Sequence, residues 1–217
     1  MALIIGGLGK DTLNGTSKAD QIFGLWQDDT LNGGGGNDVL FGGTGKDKLN
    51  GGEGFDTASY IASTAAVTVS LATGLGSGGE ATGDHLADIE GLIGSIFGDT
   101  LSGNNANNHL YGLAGNDALS GGGGNDRIDG SLGADRLTGG VGADKFIFRP
   151  FDGKDRIIDW ETSDRMDVRA HNFADFGDLM GHVSQSGAST LINFGDGDQV
   201  TLLGVVKSSL LADDFII

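Results

Sequence analysis

Aspartate recurs every nine residues along two stretches of this 217-residue chain. The chain has 26 Asp but only 4 Glu, and a merely acidic surface would use both. The bias indicates a geometric role for a short carboxylate, and rows of such carboxylates suit a hard divalent cation that takes oxygen ligands. Counted in nine-residue units from Gly6 and again from Gly94, the sixth positions are Asp11, Asp20, Asp29, Asp38, Asp47, Asp56, Asp99, Asn108, Asp117, Asp126, Asp135 and Asp144.

Glycine precedes these aspartates at the first, second and fourth positions of a unit, in the pattern G-G-x-G-x-D-x-U-x, where U is apolar. Glycine permits positive φ and tight turns, so the first six residues of a unit are expected to be irregular. The last three are expected to form a short strand whose middle side chain points inward. The glycines assigned to the candidate sites are Gly33, Gly34, Gly36, Gly42, Gly43, Gly45, Gly51, Gly52, Gly54, Gly112, Gly115, Gly121, Gly122, Gly124, Gly130, Gly133, Gly139, Gly140 and Gly142.

The nine-residue period predicts a solenoid. Two units make one 18-residue coil, with one strand in each of two facing parallel sheets, and the eighth-position side chains meet between the sheets. No unit can bury its own apolar residue, so the coils must stack on one another. The resulting core is thin, with one apolar residue per nine, and the stacked carboxylates repel each other. A bound cation is therefore expected to hold the turns together.

Calcium fits these turns better than magnesium, because it accepts six to eight oxygens, including backbone carbonyls, in flexible geometry. Alternate units lie on the same side of the coil, so each ion is expected to bridge units n and n+2. About six to eight ions are predicted, with Asp20, Asp29 and Asn108 as weak or empty positions. The predicted pairs are Asp11–Asp29, Asp29–Asp47, Asp20–Asp38, Asp38–Asp56, Asp99–Asp117, Asp117–Asp135, Asn108–Asp126 and Asp126–Asp144.

The repeats divide the chain into four parts: a first repeat block (1–59), an irregular β spacer (60–93), a second repeat block (94–147) and a carboxy-terminal cap (148–217). In the spacer, 66–74 is predicted as a strand, 76–84 as a loop and 86–94 as a strand, and the spacer is expected to continue the stack. In the cap, strands are predicted at 146–148, 155–160 and 165–170, a short helix within 172–183, and a hairpin of 189–194 with 199–204.

These nonapeptides resemble the RTX (repeats-in-toxin) family, whose GGxGxD repeats form a calcium-bound parallel β-roll. Residues 142–168 are similar to the cap of serralysin-type proteases and alginate epimerase R-modules, and Asp213–Ile217 is similar to the tail of such secreted proteases. The resemblance implies an all-β fold, a secreted, extracellular protein, export by a type I secretion apparatus, folding on calcium outside the cell, and an upstream catalytic or adhesive domain. The alternative is a polysaccharide-binding or adhesive module like an alginate epimerase R-module.

Composition excludes several partners. The net charge of −17 argues against nucleic acid and anionic lipid, which require a basic face. There is no cysteine, so disulfides and thiolate metal sites are absent. No apolar run reaches the roughly 18 residues of a membrane span. The first residues, MALIIGG, lack the basic start of a cleaved signal peptide.

No catalytic constellation is recognisable, so the chain is predicted not to be an enzyme by itself. None of the four histidines lies in H-E-x-x-H, and no G-x-S-x-G elbow occurs. Four aromatic residues could line a sugar site: Trp26, Phe55, Phe151 and Trp160. A basic groove on the cap, drawn from Arg149, Lys154, Arg156, Arg165 and Arg169, would favour the polysaccharide alternative.

Overall fold

Two facing β-sheets built from alternate repeat units make up most of the molecule. A computed structural model describes all 217 residues. One sheet has ten strands and the other thirteen, and within the repeat blocks all neighbouring strands of both sheets are parallel. The predicted all-β parallel β-roll is therefore confirmed.

The ten-stranded sheet contains, in spatial order, β1 (Leu3–Ile5), β3 (Gln21–Trp26), β5 (Val39–Thr44), β7 (Thr57–Ser59), β11 (Gly91–Ile93), β13 (His109–Tyr111), β16 (Arg127–Asp129), β19 (Lys145–Ile147), β21 (Arg165–Asp167) and β25 (Phe215–Ile216). The thirteen-stranded sheet contains β2 (Thr12–Asn14), β4 (Thr30–Gly35), β6 (Lys48–Glu53), β10 (His85–Ala87), β9 (Leu75–Ser77), β8 (Thr68–Ser70), β12 (Thr100–Ser102), β15 (Ala118–Gly123), β18 (Arg136–Val141), β20 (Lys154–Ile157), β24 (Asp198–Leu202), β23 (Ser189–Gly195) and β22 (Val183–Ser186). A two-stranded sheet pairs β14 (Ala114–Gly115) with β17 (Leu132–Gly133).

The eighth-position side chains form two apolar columns between the sheets. Ile22 and Leu40 are register partners in one sheet, and Leu31 and Leu49 are partners in the other. Every eighth-position residue of the repeats is buried except Leu13, which lies in the first coil and is half-buried. The stacking predicted from the period thus holds, and a coil with no neighbour on one side leaves its core residue partly exposed.

Six strands of the repeat blocks are longer than the three residues expected from the repeat. Thr30–Gly35, for example, runs into the glycines of the following unit, and Gly34 pairs with Gly52 one coil away. The expectation that the first six residues of a unit are irregular is therefore wrong for these units. Their kinked glycine backbone still forms a ladder with the next coil, because identical turns stack in register.

The spacer adds one strand to the ten-stranded sheet and three to the other. In the ten-stranded sheet β7 pairs directly with the spacer strand β11, so residues 60–90 add no strand there. In the thirteen-stranded sheet β10, β9 and β8 lie between the two repeat blocks, and β9 is antiparallel to both neighbours. The stretch 76–84, expected to be a loop, contributes to β9 and the 3₁₀ turn Gly79–Ala81, and 86–94 divides between β10 and β11 in opposite sheets.

The parallel register continues past residue 147. β20 pairs with β18, and β21 pairs with β19, so both sheets gain cap strands. The expected hairpin is present as antiparallel β23 and β24. The helix α1 (Phe176–Gly181) is short, and the remaining 3₁₀ turns are Arg169–His171, Lys207–Ser209 and Ala212–Asp214. None of the helices is long and apolar enough to cross a membrane.

Candidate calcium sites

The sixth-position side chains form ladders along both edges of the solenoid. In eight of the twelve units one carboxylate oxygen accepts a hydrogen bond from the backbone N–H of the sixth-position residue one coil earlier. The Asp20 N–H donates to Asp38 Oδ1 over 2.7 Å, and the Asp117 N–H donates to Asp135 Oδ1 over 2.8 Å. All eight pairs expected from the n, n+2 rule are joined in this way.

Four further acids that the nine-residue period did not identify extend these ladders. Asp84 and Glu90 of the spacer accept the N–H groups of Asp47 and Asp56, each over 2.9 Å. Asp155 and Asp164 of the cap accept those of Asp135 and Asp144. Their spacing of 20 to 37 residues hides them from a nine-residue count. The detectable signal is the tripeptide acid-x-apolar, as in Asp155-Arg156-Ile157.

The second carboxylate oxygen distinguishes two kinds of unit. In eight units it is buried and has no hydrogen-bond partner, and we call these the open units. No group of the protein donates a hydrogen bond to these oxygens, so they are candidate ligands for a cation. The open carboxylates are those of Asp29, Asp38, Asp47, Asp56, Asp117, Asp126, Asp135 and Asp144.

In the other four units the site is closed by the protein's own backbone. The N–H of the second residue of the unit donates to the sixth side chain: Thr16 to Asp20 over 2.7 Å, Ser95 to Asp99 over 2.5 Å and Asn104 to Asn108 over 2.7 Å. Gly7 does the same for Asp11. A backbone donor thus takes the place that a cation would occupy in an open unit.

Backbone conformation separates the two kinds without exception. Every open unit has positive φ at both its second and fourth residues, and no closed unit has it at either. Most of these residues are glycine, such as Gly34 and Gly36, because glycine adopts this region without strain. The others are Leu25 and Gln27 in one open unit, Leu113 in another and Ser131 in a third.

First-position glycines have a different role, which is to let the chain pass close to the carboxylate. A Cβ on Gly33 would collide with both Asp38 Oδ2 and the Gly51 carbonyl oxygen, and one on Gly121 would collide with Asp126 Oδ2 and the Gly139 carbonyl oxygen. The absence of a side chain leaves a cradle in which a carboxylate oxygen and a carbonyl oxygen from the next coil lie close together.

The titration behaviour follows the same division. Burial raises the pKa of all eight open carboxylates, to about 6 for Asp47, Asp126 and Asp135 and to about 7 for Asp117. In the closed unit of Asp20, hydrogen bonds from the Ala2 N–H and from Thr16 lower the pKa. Open carboxylates therefore remain costly to ionise unless a cation is present.

The donor set fits calcium. Nowhere do three carboxylate or imidazole side chains converge on one point, so an ion here must take most of its ligands from backbone carbonyls. Calcium accepts such ligands readily, whereas magnesium prefers a strict octahedron and retains water. The residues that would hold it are the open aspartates with the glycine-turn carbonyls around them.

Sequence and structure rank the candidate positions differently in three cases, Asp29, Asp11 and Asp99. Asp29 was grouped with the weak positions because LWQD precedes it, yet its carboxylate has the open geometry. Asp20 and Asn108 have the closed geometry, as do Asp11 and Asp99. The number of glycines alone does not separate these groups, since Gly7 is a glycine in a closed unit.

The basic and histidine residues considered from the sequence do not assemble into a site. Lys154 and Arg156 lie on β20 in one sheet, whereas Arg165 lies on β21 in the other. Arg149 is paired with Asp129 over 2.6 Å and Arg169 with Asp167 over 2.7 Å. No single basic groove results. The His109 ring contacts that of Phe55 at a tilt of 45°, and the His171 ring stacks on that of Phe194, which indicates packing roles.

Similarity to known structures agrees with this architecture. Extracellular lipase LipA from Serratia marcescens matches with 21% sequence identity and a TM-score of 0.50, covering 96% of this chain and 40% of the lipase. The chain therefore corresponds to less than half the length of that protein. Two R subunits of the Azotobacter vinelandii mannuronan C5-epimerase also match. The R3 subunit of AlgE6 has 34% identity, 57% coverage of this chain, 80% of its own length and a TM-score of 0.48. The R2 subunit has 32% identity, with 56% of this chain and 91% of its own length covered and a TM-score of 0.39.

Family membership rests on the repeats themselves. No curated protein is significantly similar to the chain in sequence. The model of the RTX calcium-binding nonapeptide repeat matches four times, at residues 5–40, 24–58, 93–128 and 120–147. Together these copies span both repeat blocks and just over half of the chain, with the open units among them. The chain belongs to the RTX family of calcium-binding nonapeptide-repeat proteins.

Proposed function

We propose that this chain is a calcium-gated folding module of a secreted protein, which orders its β-roll when it binds about six to eight calcium ions. The observation that carries the proposal is the set of eight buried carboxylate oxygens without a partner. A β-roll without cations would bury these charges among other acids, in a chain of net charge −17. Ionised carboxylates in that position oppose folding, and bound calcium removes the opposition.

This chemistry accounts for a role outside the cell. The family's repeats bind calcium, and extracellular calcium modules bind at about 10⁻⁴–10⁻³ M, well above the concentration inside a cell. A chain with such affinity would stay loose in the cytosol, pass a type I secretion apparatus and fold after export. The module would then stabilise an upstream catalytic or adhesive domain, while itself performing no catalysis.

The test is far-UV circular dichroism of the purified chain during a calcium titration, with magnesium as the control. We expect a largely disordered calcium-free chain that gains β signal cooperatively between sub-millimolar and millimolar calcium. Magnesium at the same concentrations should have little effect. A chain that is already folded without calcium, and unchanged by it, would refute calcium-gated folding.

A second candidate function is polysaccharide binding, and one observation favours it. An exposed aromatic groove lies outside the calcium ladders, where the spacer packs against the first repeat block. The calcium-ordered β-roll would then serve as the rigid support of a binding surface.

A further inference from the structure

An apolar groove of about 300 Å³ runs along the outer face of the first repeat block. Its floor is formed by Phe23 and Phe41, which are register partners on β3 and β5. Their rings are stacked, with centroids 4.2 Å apart and planes inclined by 4°. The facing sides of the two rings cover each other, so the pair forms a rigid apolar floor for the groove.

The walls of this groove come from two different parts of the chain. Trp26, 50% exposed, stands at the end of β3 on one side. Ile61, 51% exposed, belongs to the spacer on the other side. A contiguous exposed apolar patch, unlike a single exposed side chain, marks a binding surface, and Trp26 and Ile61 form such a patch with the Phe23–Phe41 pair. The spacer is therefore more than a connection between repeat blocks, since it supplies a wall of the groove.

A polar pocket of about 520 Å³ continues from the groove, and the two share Thr44 and Glu80. Asp28, Lys46, Thr64 and Thr82 line the polar part. The Thr64 hydroxyl, the Lys46 ammonium and the Glu80 carboxylate make no hydrogen bond or ion pair within the protein. Donors and acceptors are thus free beside an apolar groove, the combination typical of small-molecule sites.

Charge limits what this combined site can accept. Asp28 is paired with Lys10 over 2.5 Å, which leaves Glu80 and Lys46 as the unpaired charges, one of each sign. The site is near neutrality inside a strongly acidic protein, so an anionic ligand gains nothing from it and is repelled at longer range. A ligand with an apolar face and several neutral hydroxyls matches the lining best.

We propose that this groove binds a neutral hexopyranosyl segment of a polysaccharide, with a sugar ring against Trp26 over the Phe23–Phe41 floor and its hydroxyls toward Glu80, Lys46 and Thr64. Pyranose rings present an apolar face of C–H groups and a rim of hydroxyls, which corresponds to the two halves of the site. The proposal rests on the second candidate function above and identifies its site and ligand class.

The experiment uses the full chain in saturating calcium, with Trp26 as a reporter. The chain has two tryptophans, so Trp160→Phe leaves Trp26 fluorescence alone. Four neutral polysaccharides are titrated, namely laminarin, dextran, galactomannan and xyloglucan, with alginate as the charged comparison. We expect at least one neutral polysaccharide to shift Trp26 emission and to bind more tightly than alginate.

Variants of the chain that keep Trp160 are used to locate the site by calorimetry. Trp26→Ala should weaken binding about tenfold, because exposed aromatic residues at the centre of a site dominate affinity. Phe151→Ala is the matched control, since Phe151 is 70% exposed but lies in the cap, and binding should not change. The calcium-dependent circular dichroism of each variant reports folding separately, so a failure here is distinguishable from a failure of calcium-gated folding.

Three results would overturn the assignment: no binding of any of the four neutral polysaccharides by the folded chain, tighter binding of alginate than of all of them, or unchanged affinity in Trp26→Ala. Binding of a peptide or of another apolar ligand that displaces no polysaccharide from the groove would not support the assignment. Binding that is lost in Trp26→Ala and kept in Phe151→Ala supports it.

Discussion

At the scale of single residues, the two carboxylate oxygens of each open aspartate have different surroundings. Oδ1 joins consecutive coils through a backbone N–H, as between Asp126 and Asp144 over 2.8 Å. In the open units Oδ2 is buried without a partner, as at Asp126 itself. Under the proposed function, one carboxylate would both align the stack and contribute charge to a cation site.

Asp126→Asn should remove at least one bound calcium ion and raise the calcium concentration at the folding midpoint. The variant keeps an oxygen for the Asn108 N–H but loses the charge that an ion requires. Ions per chain are counted by equilibrium dialysis, and the midpoint is read by circular dichroism.

Asp99→Asn is the matched control, because Asp99 has the same place in its unit but is closed by the Ser95 N–H. Its ion count should stay that of the unaltered chain, even if stability falls by about 1 kcal/mol through a disturbed hydrogen bond. Equal loss of ions in both variants would contradict the distinction between open and closed units.

At the scale of elements, stability should depend on how many coils cover a core residue. Leu110 is fully buried on β13 between two neighbouring strands, whereas Leu13 on β2 is half-buried in the first coil. Leu110→Ala should lower the free energy of unfolding by about 2–5 kcal/mol, the range for cavity formation at a fully packed site.

Leu13→Ala should lower the free energy of unfolding by clearly less than Leu110→Ala does. Less buried apolar surface is lost at Leu13, and the first coil can relax into solvent. Urea unfolding of both variants in saturating calcium gives the comparison. Equal losses of unfolding free energy in the two variants would mean that the first coil is covered in solution. The half-buried state of Leu13 would then not describe the protein in solution.

The elements also show how far sequence could lead. The repeat predicts both sheets, their register and their core columns, because each unit carries its own signal. It does not predict β9, since Leu75–Ser77 lies in a glycine-rich stretch and pairs only because β8 and β10 lie on either side. The open geometry of Asp29 also escaped prediction, because Leu25 and Gln27 adopt positive φ without being glycine.

At the scale of the whole molecule, eight raised pKa values make the calcium-free fold sensitive to pH. A folded state whose aspartates titrate near pH 6–7, as Asp47 and Asp117 do, holds more protons than an unfolded chain whose aspartates titrate near 4. Stability without calcium must then fall as pH rises from about 4 through 7, because the unfolded state binds fewer protons over that range.

In calcium-depleted buffer, the chain should therefore show more β signal at pH 5 than at pH 7.5. At pH 5 it remains above its isoelectric point of about 4.2, which limits aggregation. With calcium the trend reverses: protons compete for the open carboxylates, so the calcium midpoint should rise as pH falls.

Repulsion among all the charges of a chain of net charge −17 could by itself make the calcium-free fold less stable as pH rises. Added salt separates this cause from the ionisation of the buried carboxylates. At about 0.5 M NaCl, repulsion between exposed charges is largely screened, whereas the cost of ionising a buried carboxylate persists. We expect the pH dependence of the calcium-free β signal to survive at high salt. Its disappearance there would assign the effect to overall charge, and the buried ladder would then have no special part in keeping the chain unfolded before it meets calcium.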